Sequence, residues 1–209
     1  MRIAVCLFAF KRPRYLRRAI RTHKKVEGLD YFAFIDYSEI QDKIYEIVDE
    51  AGIYTTIFKR SSNLGLNENI KRGIQHVFIL LGYDAVIVLE DDLLIAEDGI
   101  EYLKYTLENH EDIPGFFSIS LVKGLITNKQ FMCWGWGIWK DRWEEIDWSC
   151  RFDKPNRESW DMVVAAYMRQ AGLYCLCSDE SRVKHIGWQG VHYSYLDLFP
   201  VRRMLRKLF

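Results

Sequence analysis

The run Ala85-Val86-Ile87-Val88-Leu89, ending in Glu90, Asp91 and Asp92, constrains this 209-residue chain most. Its apolar residues are mostly β-branched and show no helical period, so residues 86–89 are predicted to form a central strand covered on both faces. Such a strand can carry charge only where it emerges. Acids at its end face the edge of an open sheet, where α/β proteins bind their ligands. Three adjacent carboxylates repel one another unless a cation lies among them, and a hard divalent metal with oxygen ligands meets that need. An acidic, solvated turn is the competing reading.

The chain before this run alternates strands and helices. Residues 3–9 form a short apolar strand. Pro13 suits the first turn of a helix with Leu16, Ala19 and Ile20 on one face and Arg14, Arg17, Arg18 and Arg21 off it. Strands are predicted at 31–35, ended by Asp36, and at 53–58, around a helix at 40–48. Asn67 is placed to cap a helix bearing Ile70, Ile74, Val77, Phe78 and Leu81. Leu103 and Leu107 mark another helix, and 116–120 another strand. The expected class is therefore α/β, with a mostly parallel mixed sheet flanked by helices and joined by right-handed crossovers.

After Leu121 the pattern changes. Residues 131–143 are aromatic and glycine-rich, and Trp160, Val163, Val164, Tyr167 and Met168 mark one helix face. Residues 174–177 and 182–186 read as short strands. The expected organisation is one domain over 1–197, with a larger part (1–121), a smaller part (122–197), and a tail, 198–209. In the tail Val201, Met204, Leu205 and Leu208 share a helical face opposite Arg202, Arg203, Arg206 and Lys207. That pattern suits an anionic membrane surface, or docking on the protein's own core.

With 29 basic and 29 acidic residues, the balance argues against a nucleic-acid partner. The five cysteines, Cys6, Cys133, Cys150, Cys175 and Cys177, are odd in number and scattered, as expected of free thiols in a reducing cytosol. The apolar start is too short for a signal peptide, and no run reaches the length of a membrane span. A cytoplasmic location is expected, with the tail able to hold the protein on the inner membrane face.

Phosphate-binding glycine motifs of the GxxxxGK[ST] and GxGxxG types are absent. Instead, Arg12, Asp36 and the acidic triplet follow successive strand ends. A pyrophosphate with its divalent metal needs a cation near the first and a carboxylate at the last, and Asp36 can accept from a pyrimidine N–H. Trp134, Gly135 and Trp136 are expected on a sugar-facing wall, because glycine lets backbone approach a ligand and indole faces stack on sugar rings. Trp139, Trp143 and Trp148 are expected to pack between the two parts. Lys184, His185 and His192 are placed to approach the pyrophosphate from the far side; a satisfied core histidine is the competing reading of the histidines.

The segments Phe10-Lys11-Arg12-Pro13, Phe34-Ile35-Asp36, the helix at 69–81, Val88-Leu89-Glu90-Asp91-Asp92-Leu93, the Gly135-Trp136 segment to Trp143, Ser159-Trp160-Asp161, and Ser181-Arg182 through Gly190-Val191-His192 occur in this order. In them the chain resembles the GT-A-fold (Rossmann-like) nucleotide-sugar glycosyltransferases of the N-acetylglucosaminyltransferase I and family-2 types. The resemblance covers all but the tail. It implies a nucleotide-sugar donor, UDP-linked and UDP-GlcNAc in type, a glycan or lipid-linked acceptor, and a Mn2+ or Mg2+ cofactor. Asp92 then matches the metal ligand. Glu90 and Asp91 match contacts to the ribose and transferred sugar, Arg12 a donor-phosphate contact and Asp36 the uracil contact. Phe10, Asn69 and His192 match donor-side positions, and Asp161 the catalytic base.

Independently of the family, transfer of a sugar to a hydroxyl needs a carboxylate to take the proton. Asp161 is the expected base, with Asp153 and Glu158 in reserve. An acid in the first turn of a helix that Ser159 can cap is the competing reading of Asp161. Two other functions fit the pattern. A sugar-phosphate nucleotidyltransferase would want a glycine-rich basic loop after the first strand, and residues 10–14 contain no glycine. A non-catalytic carbohydrate-binding domain would use only the tryptophan-rich stretch.

Overall fold

The first strand, β1 (Ile3–Ala9), is buried at all seven positions, because strands flank it and helices cover both its faces. The computed structural model describes residues 1–124, 130–151 and 159–187. Strand β1 pairs in parallel with β2 (Leu29–Ile35) and β4 (Ala85–Glu90), and β2 pairs in parallel with β3 (Thr56–Lys59). Beyond β4 runs the antiparallel β7 (Trp136–Trp139), then β6 (Phe116–Lys123), antiparallel to β7, and β8 (Tyr174–Ser178), parallel to β6. The seven-stranded order is β3-β2-β1-β4-β7-β6-β8. This is the expected mostly parallel mixed sheet. It takes strands from both sides of residue 121.

Alternation along β1 divides the core in two. Ile3, Val5 and Leu7 pack with Leu16 of α1 (Pro13–Ile20), Ile44 of α2 (Gln41–Glu50) and Leu103 of α4 (Gly99–His110). Ala4, Cys6 and Phe8 pack with Ile70 and Ile74 of α3 (Gly65–Gln75) and with Trp160 of α6 (Trp160–Ala171). The predicted helix face Leu16, Ala19 and Ile20 is the buried face of α1.

Several local expectations are corrected. Helix α3 begins at Gly65 and does not use Asn67 as its cap. The carboxylate of Asp36 accepts from Leu64 N and Gly65 N, each at 2.9 Å, and so satisfies amides that open the helix. Asn67 Oδ1 accepts instead from Trp160 N, at 3.0 Å, and caps α6. Past Gln75 the helix widens into a π-helical turn, His76–Leu80. The third strand starts at Thr56, later than its apolar pattern suggests. The tryptophan- and glycine-rich stretch read as a ligand wall contributes the central strand β7, followed by the short α5 (Lys140–Glu144). Glycine at 137 lets β7 sit against its neighbours: a Cβ there would lie 3.1 Å from Leu107 Cδ1 and 3.3 Å from Val86 O. Trp139 and Trp143 are buried, and Trp139 Nε1 donates to Leu107 O at 3.1 Å.

A second, two-stranded sheet was not foreseen. Strand β5 (Leu93–Ile95) follows directly on the acidic triplet and pairs antiparallel with β9 (Val183–His185). No helix of the described residues is long and apolar enough to cross a membrane. His192, Asp153, Glu158 and the tail 198–209 lie outside the described residues.

His23 sits 3% exposed behind α1, with Tyr54 Oη 2.8 Å from its Nδ1 and no partner at Nε2 among the described residues. Burial pushes the imidazole down to about 3. The unfolded chain binds a proton near pH 6.5 and the native chain does not, so this group lowers stability as pH falls from 6.5 towards 3. The slope is about 1.4 kcal/mol per pH unit. In thermal melts between pH 7.5 and 4.5, His23→Asn should lose stability on acidification less steeply than the wild type.

Candidate functional site

Because β1, β2, β3 and β4 are parallel, their carboxyl ends open on one edge of the sheet. Arg12 follows β1, Asp36 follows β2, and Glu90, Asp91 and Asp92 end or follow β4. Antiparallel β7 starts at the same edge and brings Cys133 and Trp134 there. Asp161, in the first turn of α6, is brought there too. These residues line one cleft of about 410 Å³, together with Phe10, Asn69, His185 and Gly187.

Arg12 forms the floor of the cleft with two acids. Its Nη2 donates to Asp91 Oδ1, and its Nη1 donates to Asp92 Oδ2 at 2.6 Å. Asp91 is 1% exposed and also accepts from Phe10 N at 3.1 Å. Burial raises the Asp91 carboxyl above the usual range, against the pull of Arg12. For Asp92, burial acts upward but is outweighed by the hydrogen bond from His185 and by Arg12, so its carboxyl lies below the usual range. Glu90 has no such partner among the described residues. Burial, with the charges of Asp92 and Asp91, pushes it up to about 8, and Asp161 adds to the rise. Asp161 lines the same cleft.

His185 reaches this site through the second sheet. The register Leu93↔His185 places it beside Asp92, with Nε2 3.1 Å from Asp92 Oδ2. Its ring stacks on Trp134, with centroids 4.9 Å apart at 12°. Alternation along β9 turns Lys184 outward, where it is exposed and does not line the cleft. Ile186 N then donates to Asp92 O at 2.9 Å, drawing residue 187 onto the acids. A Cβ at Gly187 would lie 1.9 Å from Asp92 Oδ2 and 3.1 Å from Arg12 Nη1. Sequence reading passed over Gly187, and only its closeness to His185 could have signalled it.

The remaining predicted residues divide. Asp36 and Asn69 line the cleft but are also engaged structurally: Asp36 caps α3, and Asn69 accepts from Arg60 Nε at 2.9 Å. Trp134 is 40% exposed at the cleft. Gly135 and Trp136 are corrected, since neither lines it. Trp136 is fully buried, stacked on Trp160 at 5.4 Å and edge-on to Phe131 at 4.9 Å. Gly135 has φ +59°, and a Cβ there would meet Leu121 Cδ1 at 2.9 Å. Its glycine serves the turn into β7, not approach to a ligand. Ser159 stands at the N-cap of α6 without using its side chain, because Asn67 supplies the bond. Asp161 remains directed to the cleft.

Among the described residues no group of three or more His, Cys, Asp or Glu converges as a closed metal cage. Asp92 and His185 offer one carboxylate and one imidazole at the cleft. Such an open pair suits a divalent ion that takes its other ligands from substrate phosphates and water.

No protein-family model and no curated protein matches the sequence. Solved structures do share its fold. S. aureus TarS 1-349 superposes with a TM-score of 0.62 at 12% identity, over 98% of this chain and 64% of that one. The same protein in complex with UDP gives 0.61 at 11% identity, over 88% and 60%. A cytidylyltransferase from Leptospira borgpetersenii serovar Hardjo-bovis gives 0.57 at 13% identity, over 99% and 96%. A putative nucleotide-diphospho-sugar transferase from Desulfovibrio desulfuricans G20 gives 0.52 at 15% identity, over 85% and 79%. The chain thus spans just under two thirds of TarS 1-349, and at these identities the likeness is one of fold.

Two substitutions test the floor of the cleft. Arg12→Leu leaves Asp91 and Asp92 adjacent without their cation, at a cost of about 3 kcal/mol near neutral pH. Asp91 then rises further and Asp92 loses part of what holds it down, so the variant's deficit should shrink as pH falls from 7.5 to 5; a constant deficit in thermal melts counts against the bridge. Gly187→Ala should cost about 1–3 kcal/mol through forced displacement of Asp92. Adding Asp92→Ala should recover part of that loss.

Proposed function

We propose that the chain is a metal-dependent, inverting glycosyltransferase that moves a sugar from a nucleotide-sugar, UDP-linked in preference, to a hydroxyl of a glycan or lipid-linked acceptor. The observation that carries the reading is that Glu90, Asp91 and Asp92, bridged in part by Arg12, line the same cleft as Asp161. The UDP complex of the TarS structure, on the same fold, supports the choice of donor.

In this reading the acceptor oxygen bonds to the anomeric carbon while the bond from that carbon to the diphosphate oxygen breaks. The electron pair leaves with the phosphate, and the acceptor proton passes to Asp161. One in-line displacement inverts the anomeric centre. Arg12 has five N–H donors, and those not used by Asp91 and Asp92 can face the departing diphosphate. Asp92 and His185 are the residues that would hold Mn2+ or Mg2+, whose chemistry is to neutralise phosphate charge. Asp36 and Asn69 lie on the side of the cleft formed by β2 and α3 and would face the base. Trp134 presents an exposed indole for a sugar ring.

The second reading, a nucleotidyltransferase, is favoured by the Leptospira cytidylyltransferase match over nearly the whole chain. Against it stands the glycine-free stretch Phe10-Lys11-Arg12-Pro13-Arg14 after β1.

A panel of nucleotide-sugars with manganese should give nucleotide release for one donor, and EDTA should abolish it. Asp161→Asn should lower kcat by about 10²- to 10⁴-fold while UDP still raises Tm. Asp92→Asn should weaken the joint stabilisation by UDP and manganese. Pyrophosphate release from a nucleoside triphosphate and a sugar phosphate would favour the second reading instead.

A further inference from the structure

Residues 11–25 hold eight lysines and arginines and no acid, in a chain whose net charge is zero. The structure makes this run a strip. Lys11 and Arg12 line the cleft, α1 carries the run away from it, and Lys24 and Lys25 lie exposed beyond the helix. Arg14, Arg18 and Arg21 recur at spacings of four and three residues, so they share one face. All three are exposed and form no ion pair among the described residues. Arg17 and Lys24 are bridged to Glu50 at 3.5 Å and Glu97 at 3.7 Å.

We propose that this strip binds an extended anionic glycan, a saccharide chain bearing phosphate or carboxylate groups, and leads its end into the cleft as the acceptor. The shape of the charge selects the partner. Eight helical residues rise about 12 Å, so the cations form a narrow line that starts at the cleft. Exposed acids border it: Glu50 is 67% and Glu97 90% exposed at the side chain. A flat anionic membrane would meet those acids together with the cations, whereas one chain lying along α1 meets the cations alone. Leu16, Ala19 and Ile20 are buried in the core and Pro13 and Tyr15 are half-buried, so α1 has no fully exposed apolar residue to insert into a bilayer.

The role of the bound chain as acceptor rests on the glycosyltransferase reading; the binding itself does not. The test uses a labelled oligogalacturonate as a carboxylate-bearing glycan, with dextran as a neutral control. The wild type should bind the oligomer, not dextran, with affinity falling steeply with salt. Arg14→Ser/Arg18→Ser/Arg21→Ser should weaken binding on the order of tenfold or more. A matched triple on other exposed cations, Lys43→Ser/Lys123→Ser/Arg169→Ser, should change it less than about twofold. The melting temperature of the α1 triple, and its response to UDP, should equal those of the wild type. Equal losses in both triples, or none in the first, overturn the proposal. So does binding to phosphatidylglycerol vesicles without binding to the oligomer. If the oligomer binds as expected but UDP stabilises neither protein, the donor reading fails and the strip stands.

Discussion

Arg12 bonded to Asp91 and Asp92 is the interaction on which the candidate site depends. It joins the loop after β1 to the loop after β4, two segments about eighty residues apart in sequence. Two buried carboxylates side by side are unfavourable in low dielectric, and a guanidinium that reaches both at once offsets part of that cost. The positive charge demanded by the acidic triplet is therefore supplied first by the protein. A metal there would join a site already partly neutralised, and Glu90, left outside the bridge, has a carboxyl raised to about 8.

The walls of the cleft are tied together by helix caps that come from other elements. Asp36, after β2, closes the amino end of α3. Asn67, within α3, closes the amino end of α6, whose first turn carries Asp161. Satisfying exposed helix amides thus orients the proposed base relative to the proposed nucleotide side. The β5–β9 pairing does the same for His185, and a residue without a side chain, Gly187, allows that segment to close over Asp92.

Legibility in the sequence followed physical range. Strands β1 and β4 and the buried face of α1 were readable because unbroken apolar runs and helical spacing are local properties. Arg12, Asp36 and the acidic triplet could be placed at one edge because parallel strands put their carboxyl ends together. Trp136 and Gly135 were misplaced because composition is the same for a sugar wall and a packed aromatic core. The difference is whether β7 inserts between β4 and β6, which no local pattern reports. Asn67 was assigned to the wrong helix for a similar reason, since a capping side chain reads alike whichever helix it closes.

By itself the sequence determined the α/β class, the central buried strand and the order in which charged residues meet the strand ends, all of which follow from hydrophobic periodicity and chain direction. Only the tertiary structure decided which charges touch. It set Arg12 between Asp91 and Asp92, brought His185 to Asp92, placed Gly187 where no side chain fits, and turned the arginines of α1 into a line leading from the cleft. Those outcomes depend on contacts between residues far apart in the chain, where distance and burial, not residue type, set the energies.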